Sequence, residues 1–353
     1  MNIVGKKILV TGGAGFIGSH IAEFYATKRS NVIVLDNLSR CRLLGKGYKN
    51  AVYNWEYLKK CGNVKLLESD VTNFEQLKQI CKDVDTIIHT AAQTAVTTSL
   101  ADPRTDFMTN ALGTFNILET ARKFCNNPTI IFCSTNKVYG SNVNEIEVLQ
   151  KETRYIFEDR FKNGVSETFP VDLCEHTPYG CSKLAGDLYT QDYAKIYGLR
   201  TAVFRMSCIY GTRQFGVEDQ GWVAWFTIAT ITGKPITIYG DGKQVRDILY
   251  VTDLVNAFDN FLQRKNQLSG EVFNMGGGSE NTISLLELLN MLEQLTGKRS
   301  KITFSDWRPS DQKVYVSNIL KAKEKLRWSP KVNPKKGVEK LVNWVLENKN
   351  LFE

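Results

Sequence analysis

Within the first nineteen residues, Lys7-Ile8-Leu9-Val10-Thr11-Gly12-Gly13-Ala14-Gly15-Phe16-Ile17-Gly18-Ser19 spaces Gly12, Gly15 and Gly18 three apart, directly after an apolar run. Ile8–Val10 reads as a short buried strand, and the residues after Gly15 take helical spacing. Such spacing suits a tight strand-to-helix turn whose backbone can approach a pyrophosphate, with the helix packed close on its sheet. The helix N-terminus adds free N–H groups and the positive end of its dipole. A second run, Asn31–Leu35, ends in Asp36, eighteen positions past Gly18. An acid there can hold both ribose hydroxyls of a dinucleotide and repel a 2′-phosphate, which favours NAD over NADP. Arg40 is near enough to pull the other way. A glycine-rich turn with no ligand is the plain alternative; the strand before it, the helix after it and the second strand argue against that.

The alternation continues. Strands are predicted at Lys7–Thr11, Asn31–Leu35, Val64–Glu68, Thr86–His89, Thr129–Cys133 and Thr201–Arg205, and helices at Phe16–Thr27, Asn73–Lys82, Pro103–Phe124 and Tyr179–Tyr197. This rhythm predicts an α/β fold, a doubly wound parallel sheet of Rossmann type with helices on both faces. The longer connection Arg40–Cys61 carries Tyr53, Trp55 and Tyr57 and reads as a short helix over the adenosine end. After Arg205, glycine-rich turns separate shorter elements: helices at Gly221–Ile231, Val251–Leu262, Ser284–Leu295, Asn318–Lys325 and Pro334–Asn348, and strands at Pro235–Ile238 and Glu271–Asn274. The predicted division is a dinucleotide-binding domain over 1–205, with a return segment near 244–270, and an interleaved smaller α/β substrate-binding cap over 206–353.

The net charge of +8 comes without a long Lys/Arg block, so it points to anionic, phosphate-bearing small molecules and not to nucleic acid. Eight cysteines show no CxxC pair and no His/Cys ligand cluster, so they read as reduced packing residues, with no metal site. No apolar run is long enough to span a membrane, and the first strand leaves no room for a leader. A cytoplasmic protein with no membrane partner is the expectation.

Two positions invite chemistry. In Tyr179-Gly180-Cys181-Ser182-Lys183, a phenol and an ammonium lie one turn apart on one helix face. A Lys183 ammonium and an oxidised nicotinamide would both favour a Tyr179 phenolate, which can act as a base near neutrality. The similarly spaced Tyr239 and Lys243 bracket Gly240-Asp241-Gly242, which is no helix interior, and are set aside. Thr135, at a strand's carboxyl end, can hydrogen-bond a substrate hydroxyl and its developing oxyanion; a polar turn is the alternative. Gln214, Asp219, Gln220 and Trp222 follow the sixth strand, where ligands bind in such sheets. Trp225 reads as a core residue of its helix.

On these residues the chain resembles, over nearly its whole length, the extended short-chain dehydrogenase/reductases that act on nucleotide sugars. The glycine turn, Asp36, Asp70-Val71, His89-Thr90-Ala91-Ala92-Gln93, Asn110-x-x-Gly113-Thr114, Tyr179/Lys183, Gly242-x-x-x-Arg246-Asp247 and Arg308-Pro309-x-Asp311 fall in family order. The resemblance implies a catalytic set of Thr135, Tyr179 and Lys183. It implies NAD contacts at Gly12, Gly15, Phe16 and Ile17, at Asp36, Asn37, Ser39 and Arg40, and at Asp70 and Val71. Further contacts are implied at Ala91, Ala92, Gln93, Asn110 and Ser134, with Tyr179 and Lys183. The implied substrate contacts are Thr135, Ser207, Gln214, Gln220, Arg246 and Arg308. The runs Ser134–Gly140, His176–Lys183 and Tyr210–Phe215, extended by Asp219–Val223, are similar to the epimerase branch. They imply a nucleotide-linked deoxyhexose, with CDP as nucleotide and C2 as the reacting carbon. A UDP- or GDP-hexose 4-epimerase and a non-catalytic NAD-binding sensor or scaffold are the rivals. Asn136 and Lys137 stand where the family's dehydratases carry acids, which disfavours dehydration, and Cys208 stands where many members carry an Asn that touches the diphosphate. The family's paired-helix interface implies a homodimer or homotetramer.

Overall fold

Apolar, β-branched runs of four to seven residues separated by amphipathic stretches assemble into a seven-stranded parallel sheet. Its strands are β1 Lys7–Thr11, β2 Asn31–Asp36, β3 Val64–Glu68, β4 Thr86–His89, β5 Thr129–Thr135, β6 Arg200–Met206 and β7 Glu271–Met275. The computed structural model describes residues 3–40, 52–308 and 311–352. The strand order is β7-β6-β5-β4-β1-β2-β3. Thr11 lies level with Leu35 on one side and His89 on the other. The chain runs outward from β1 to β3, then crosses to the far side of β1 at β4, so the carboxyl ends of β1 and β4 flank a switch point where sheets of this kind bind ligands.

This sheet belongs to the first of two compact units, made of Met1–Thr135, Pro178–Arg205 and Val255–Phe273. One face of its core packs Leu9, Ile33, Leu35, Ile87 and Ile130 with Ile117, Leu118 and Ala121 of a covering helix. The predicted single helix over 103–124 is three pieces. Pro103–Phe107 passes into a π-helical turn, Met108–Leu112, and then into α2, Gly113–Phe124. The bulge goes with Asn110, whose side chain bonds the Gln93 backbone, while Thr114 Oγ1 donates to the Asn110 carbonyl. The earlier helix α1 is Phe16–Thr27, and α3 is Thr177–Tyr197.

The second unit comprises Asn136–Thr177, Met206–Leu254 and Asn274–Glu353. Residues 136–177 thus group with the second unit and not with the rest of 1–205, and the stretch returning to the first unit starts at Val255. The reason is apolar packing: Tyr155, with Val148 and Phe157, joins Val245, Val314 and Val316 in one cluster. Around Val245–Tyr250 are strands Cys208–Tyr210, Thr282–Ser284 and Val314–Tyr315, and a separate parallel pair joins Ile236–Tyr239 to Ile302–Ser305. The expected helix over Arg40–Cys61 falls partly outside the described residues; Tyr53–Lys59 is helical.

Candidate active site

Between β1 and α1 the chain can make its turn only with glycine. Gly12 has φ +67°, and a Cβ there would lie 2.6 Å from the Ala91 nitrogen. At Gly18 a Cβ would meet the Gly12 carbonyl oxygen at 2.3 Å. Gly15 is the extended N-cap of α1, and no side chain caps the amides of its first turn, where Phe16 and Ile17 lie. Asp36 ends β2 and faces this turn, its carboxylate accepting from Ala14 N at 2.9 Å and Leu38 N at 2.8 Å. Burial raises its pKa, and the two backbone donors oppose the rise.

Beyond Asp36, Asn37 Nδ2 donates to Asp70 Oδ2 at 2.6 Å, and Asn37 Oδ1 accepts from Ser39 N at 2.9 Å. Asp70 is braced by the backbone and hydroxyl of Thr72, both at 2.8 Å. Buried Val71 abuts Gly113, where a Cβ would meet its side chain at 2.6 Å. Arg40 is half-buried at the limit of the described segment. Gly12, Gly15, Asp36, Asn37, Asp70 and Ala91 therefore come together along the carboxyl ends of β1 to β4. This cradle of glycine-only backbone and uncapped amides fits a diphosphate.

At the end of β5, Thr135 hydrogen-bonds the phenol of Tyr179. Tyr179 sits near the start of α3, with its backbone N–H on Ser99 Oγ at 3.2 Å. One turn on, Lys183 donates from Nζ to the Cys133 carbonyl at 2.6 Å and lies 4.3 Å over the Phe132 ring. Thr135, Tyr179 and Lys183 are all buried. Burial pushes the Tyr179 phenol up to about 12, with the Thr135 bond opposing it, and pushes Lys183 down to about 8. The expected Lys183 effect on the phenol is thus outweighed here: the ammonium is spent on a carbonyl, and desolvation dominates. His89 is a satisfied core residue between Thr11 Oγ1 at 2.7 Å and Thr114 Oγ1 at 3.1 Å, held neutral by burial at about 3.

Two buried carboxylates lie beside this set, and their spacing in the sequence gave no sign of them. Asp106 accepts from Gln93 Nε2 at 2.9 Å, Asn110 Nδ2 at 3.0 Å and the Ser182 hydroxyl, so Gln93 and Asn110 are fixed to each other beneath Tyr179. The other is Asp187, which takes the Ser134 hydroxyl at 2.7 Å. Ser134, expected to contact the dinucleotide, has its hydroxyl engaged by Asp187. Ala92 is half-buried beyond β4.

In the second unit, Ser207 Oγ is committed to Asp247 Oδ1 at 2.5 Å. Gln214 donates from Nε2 to the Ile209 carbonyl at 3.3 Å, while its buried Oε1 has no partner among the described residues. Gln220 exchanges backbone bonds with Val217, both at 2.9 Å. Arg246 pairs with Asp311 at 2.8 Å, and Arg308 pairs with Asp219 at 2.9 Å while stacking 3.9 Å over Tyr239. Cys208 receives the Trp222 indole N–H at 3.1 Å, and the Trp222 ring packs edge-to-face with Phe226 at 5.9 Å between centroids. Burial and the Arg246 charge bring Lys137 down to about 8. Among the described residues there is no His/Cys/Asp/Glu group able to hold a metal ion.

Residues 9–341 match the GDP-mannose 4,6 dehydratase family. The chain belongs to the extended short-chain dehydrogenase/reductase family of nucleotide-sugar epimerases and dehydratases. This family member is 41% identical over 345 residues to CDP-paratose 2-epimerase of Salmonella typhi, covering 96% of this chain and 98% of that protein. The structure of UDP-glucose 4-epimerase from Thermotoga maritima with UDP-glucose matches with a TM-score of 0.79 at 31% identity, over 97% of this chain and 99% of that one. UDP-glucuronic acid 4-epimerase from Bacillus cereus, in complex with UDP-glucuronic acid and NAD, matches at TM-score 0.80 and 27% identity, with the same coverage. Among the described residues no helix is long and apolar enough to cross a membrane.

Proposed function

We propose that this enzyme is an NAD-dependent 2-epimerase of a CDP-linked deoxyhexose, converting CDP-paratose to CDP-tyvelose. The observation that carries the reading is the Thr135–Tyr179 hydrogen bond with Lys183 one turn on, in a chain so similar to CDP-paratose 2-epimerase over nearly its whole length. The glycine cradle and the α1 amides would hold the NAD diphosphate, Asp36 the adenosine ribose, and Asp70 with Val71 the adenine edge. NAD, when bound, accepts a hydride from the reacting carbon and gives it back to the opposite face, so it is regenerated in each cycle.

Tyr179 takes the hydroxyl proton at that carbon as the C–H bond breaks and returns it after the keto sugar has turned over. Thr135, bonded to the same phenol, orients the sugar oxygen and holds its developing charge. Lys183 supplies the positive charge that a phenolate needs. Arg246 and Arg308 would receive the substrate's phosphates. Asn136 and Lys137 leave no carboxylate after Thr135 for dehydration. The test is to denature the purified protein, identify the released dinucleotide, and assay CDP-paratose.

The similarity to two UDP-sugar 4-epimerases supports the rival reading. A site that bonds a hydroxyl rejects its absence strongly, whereas an apolar pocket rejects an added hydroxyl weakly. The Trp222 face favours the deoxygenated sugar, so preference for a 6-deoxy or dideoxy hexose is expected, with slow leakage to fuller sugars. Gln214→Ala, which removes the buried side-chain amide, should lower kcat/KM without displacing NAD. Equal kcat/KM for UDP-galactose and CDP-paratose would promote the 4-epimerase.

Phe107, Leu188, Tyr189, Ile196 and Tyr197 are exposed on the first unit, which supports a two-fold homodimer or a dimer of dimers. Light scattering at micromolar concentration should give at least twice the 40.0 kDa chain mass; a monomeric mass contradicts it.

A further inference from the structure

The proposed chemistry leaves one fully buried ion pair unused. Asp187 lies on α3 one turn past Lys183 and is 0% exposed; Arg205, on β6, is 4% exposed. The guanidinium grips the carboxylate with two donors, Nε to Oδ2 at 2.9 Å and Nη2 to Oδ1 at 3.1 Å. Ser134 Oγ adds a third bond, to Oδ2 at 2.7 Å, from β5. Asp187 therefore ties together one helix and two strands.

The three residues at the end of β5 each grip α3. Cys133 takes Lys183 through its carbonyl, Ser134 gives its hydroxyl to Asp187, and Thr135 bonds Tyr179. Three consecutive strand residues thus hold three successive turns of the helix, and the middle link is anchored from β6 by Arg205. Stability alone does not call for such a pair, because apolar residues of like volume often serve a core as well.

We propose that Asp187 and Arg205 are positioning residues: they lock α3 in register with β5 so that Tyr179 meets Thr135, and their opposite charges balance the field at Lys183. The other groups facing Lys183 are Asp106 from Pro103–Phe107, Cys133 from β5, His89 from β4 and Tyr179 on its own helix. The kinetic half of the test rests on the epimerase reading; the titration half does not.

The titration uses the full chain with 13Cε-labelled lysine, read by NMR without substrate, the Lys183 signal being assigned with Lys183→Arg. Asp187→Asn leaves Arg205 unbalanced, makes the field more positive and should lower the Lys183 midpoint by about one pH unit. Arg205→Met leaves Asp187 unbalanced and should raise it by about one unit. The double variant should return to the wild-type midpoint. Opposed shifts show that the charges of the pair reach Lys183; shifts of one sign, no shift, or a displaced double variant overturn the electrostatic half. Ser134→Ala cuts the middle link and keeps both charges. It should leave the Lys183 midpoint, KM and bound dinucleotide unchanged while kcat falls about tenfold; an unchanged kcat overturns the positioning half. If the single-charge variants do not fold, Ser134→Ala decides: an unchanged kcat overturns the proposal. A wild-type enzyme that turns over no nucleotide sugar, yet shows the opposed titration shifts, would sink the epimerase reading and spare the pair.

Discussion

Tyr179→Phe is expected to abolish turnover, by about 10²-fold or more, while the dinucleotide stays bound. The substitution removes one oxygen and keeps the ring that fills the start of α3. That oxygen is the group bonded to Thr135, at the place where a sugar hydroxyl must give up its proton. The fold should lose only the net worth of one hydrogen bond, about 1 kcal/mol. Single-turnover kinetics with denaturation and dinucleotide release check both halves. A variant retaining more than about a tenth of the wild-type rate would mean that Tyr179 is not the base. With burial holding the phenol at about 12, a base at this position needs positive charge close by to work near neutrality.

Gly12→Ala should have the second-largest effect, and it acts on binding before chemistry. The added Cβ would face the Ala91 nitrogen at 2.6 Å, the Ala91 Cα at 2.7 Å and the Thr90 carbonyl carbon at 2.8 Å, all of them backbone atoms that cannot rotate away. The φ of +67° adds strain of about 1 kcal/mol for any residue with a side chain. The turn must open, and the amides it aims at a diphosphate then lose their convergence. Protein purified from this variant is expected to carry little dinucleotide and to melt several degrees lower. Wild-type dinucleotide content in a titration would show that the cradle is not the anchor.

The sheet was legible because each strand is a short apolar run closed by a turn residue, and the limits at Lys7–Thr11, Val64–Glu68 and Thr86–His89 match. The π turn at Met108–Leu112 was not, because one extra residue in a helix barely disturbs the apolar period. The membership of 136–177 was hidden for another reason: which unit a segment joins depends on partners such as Val245 and Val314, which lie far along the chain from Tyr155. In the site, Thr135, Tyr179 and Lys183 were readable from spacing and strand ends. Asp187, Arg205 and Asp106 were not, because a buried ion pair or hydrogen-bonded carboxylate looks in sequence like any charged residue on a helix or strand. Ser134 was named as a cofactor contact by the family resemblance; that its hydroxyl would bond Asp187, on the face of β5 away from Thr135, was not visible in the sequence.

The threading of the first unit has a consequence for how the molecule is made. Its sheet ends at β7, and its last piece, Val255–Phe273, follows two long stretches that belong elsewhere. Phe204 of β6 packs against Phe258, Phe261 and Phe273, with ring centroids 4.8, 6.0 and 5.5 Å away. While the chain is being synthesised, β6 therefore waits with an open edge and a bare phenylalanine until that last piece arrives. A ribosome stalled anywhere before Phe273 holds a sticky, half-closed sheet, and truncation from the carboxyl end should cost solubility before it reaches a single residue of the glycine turn.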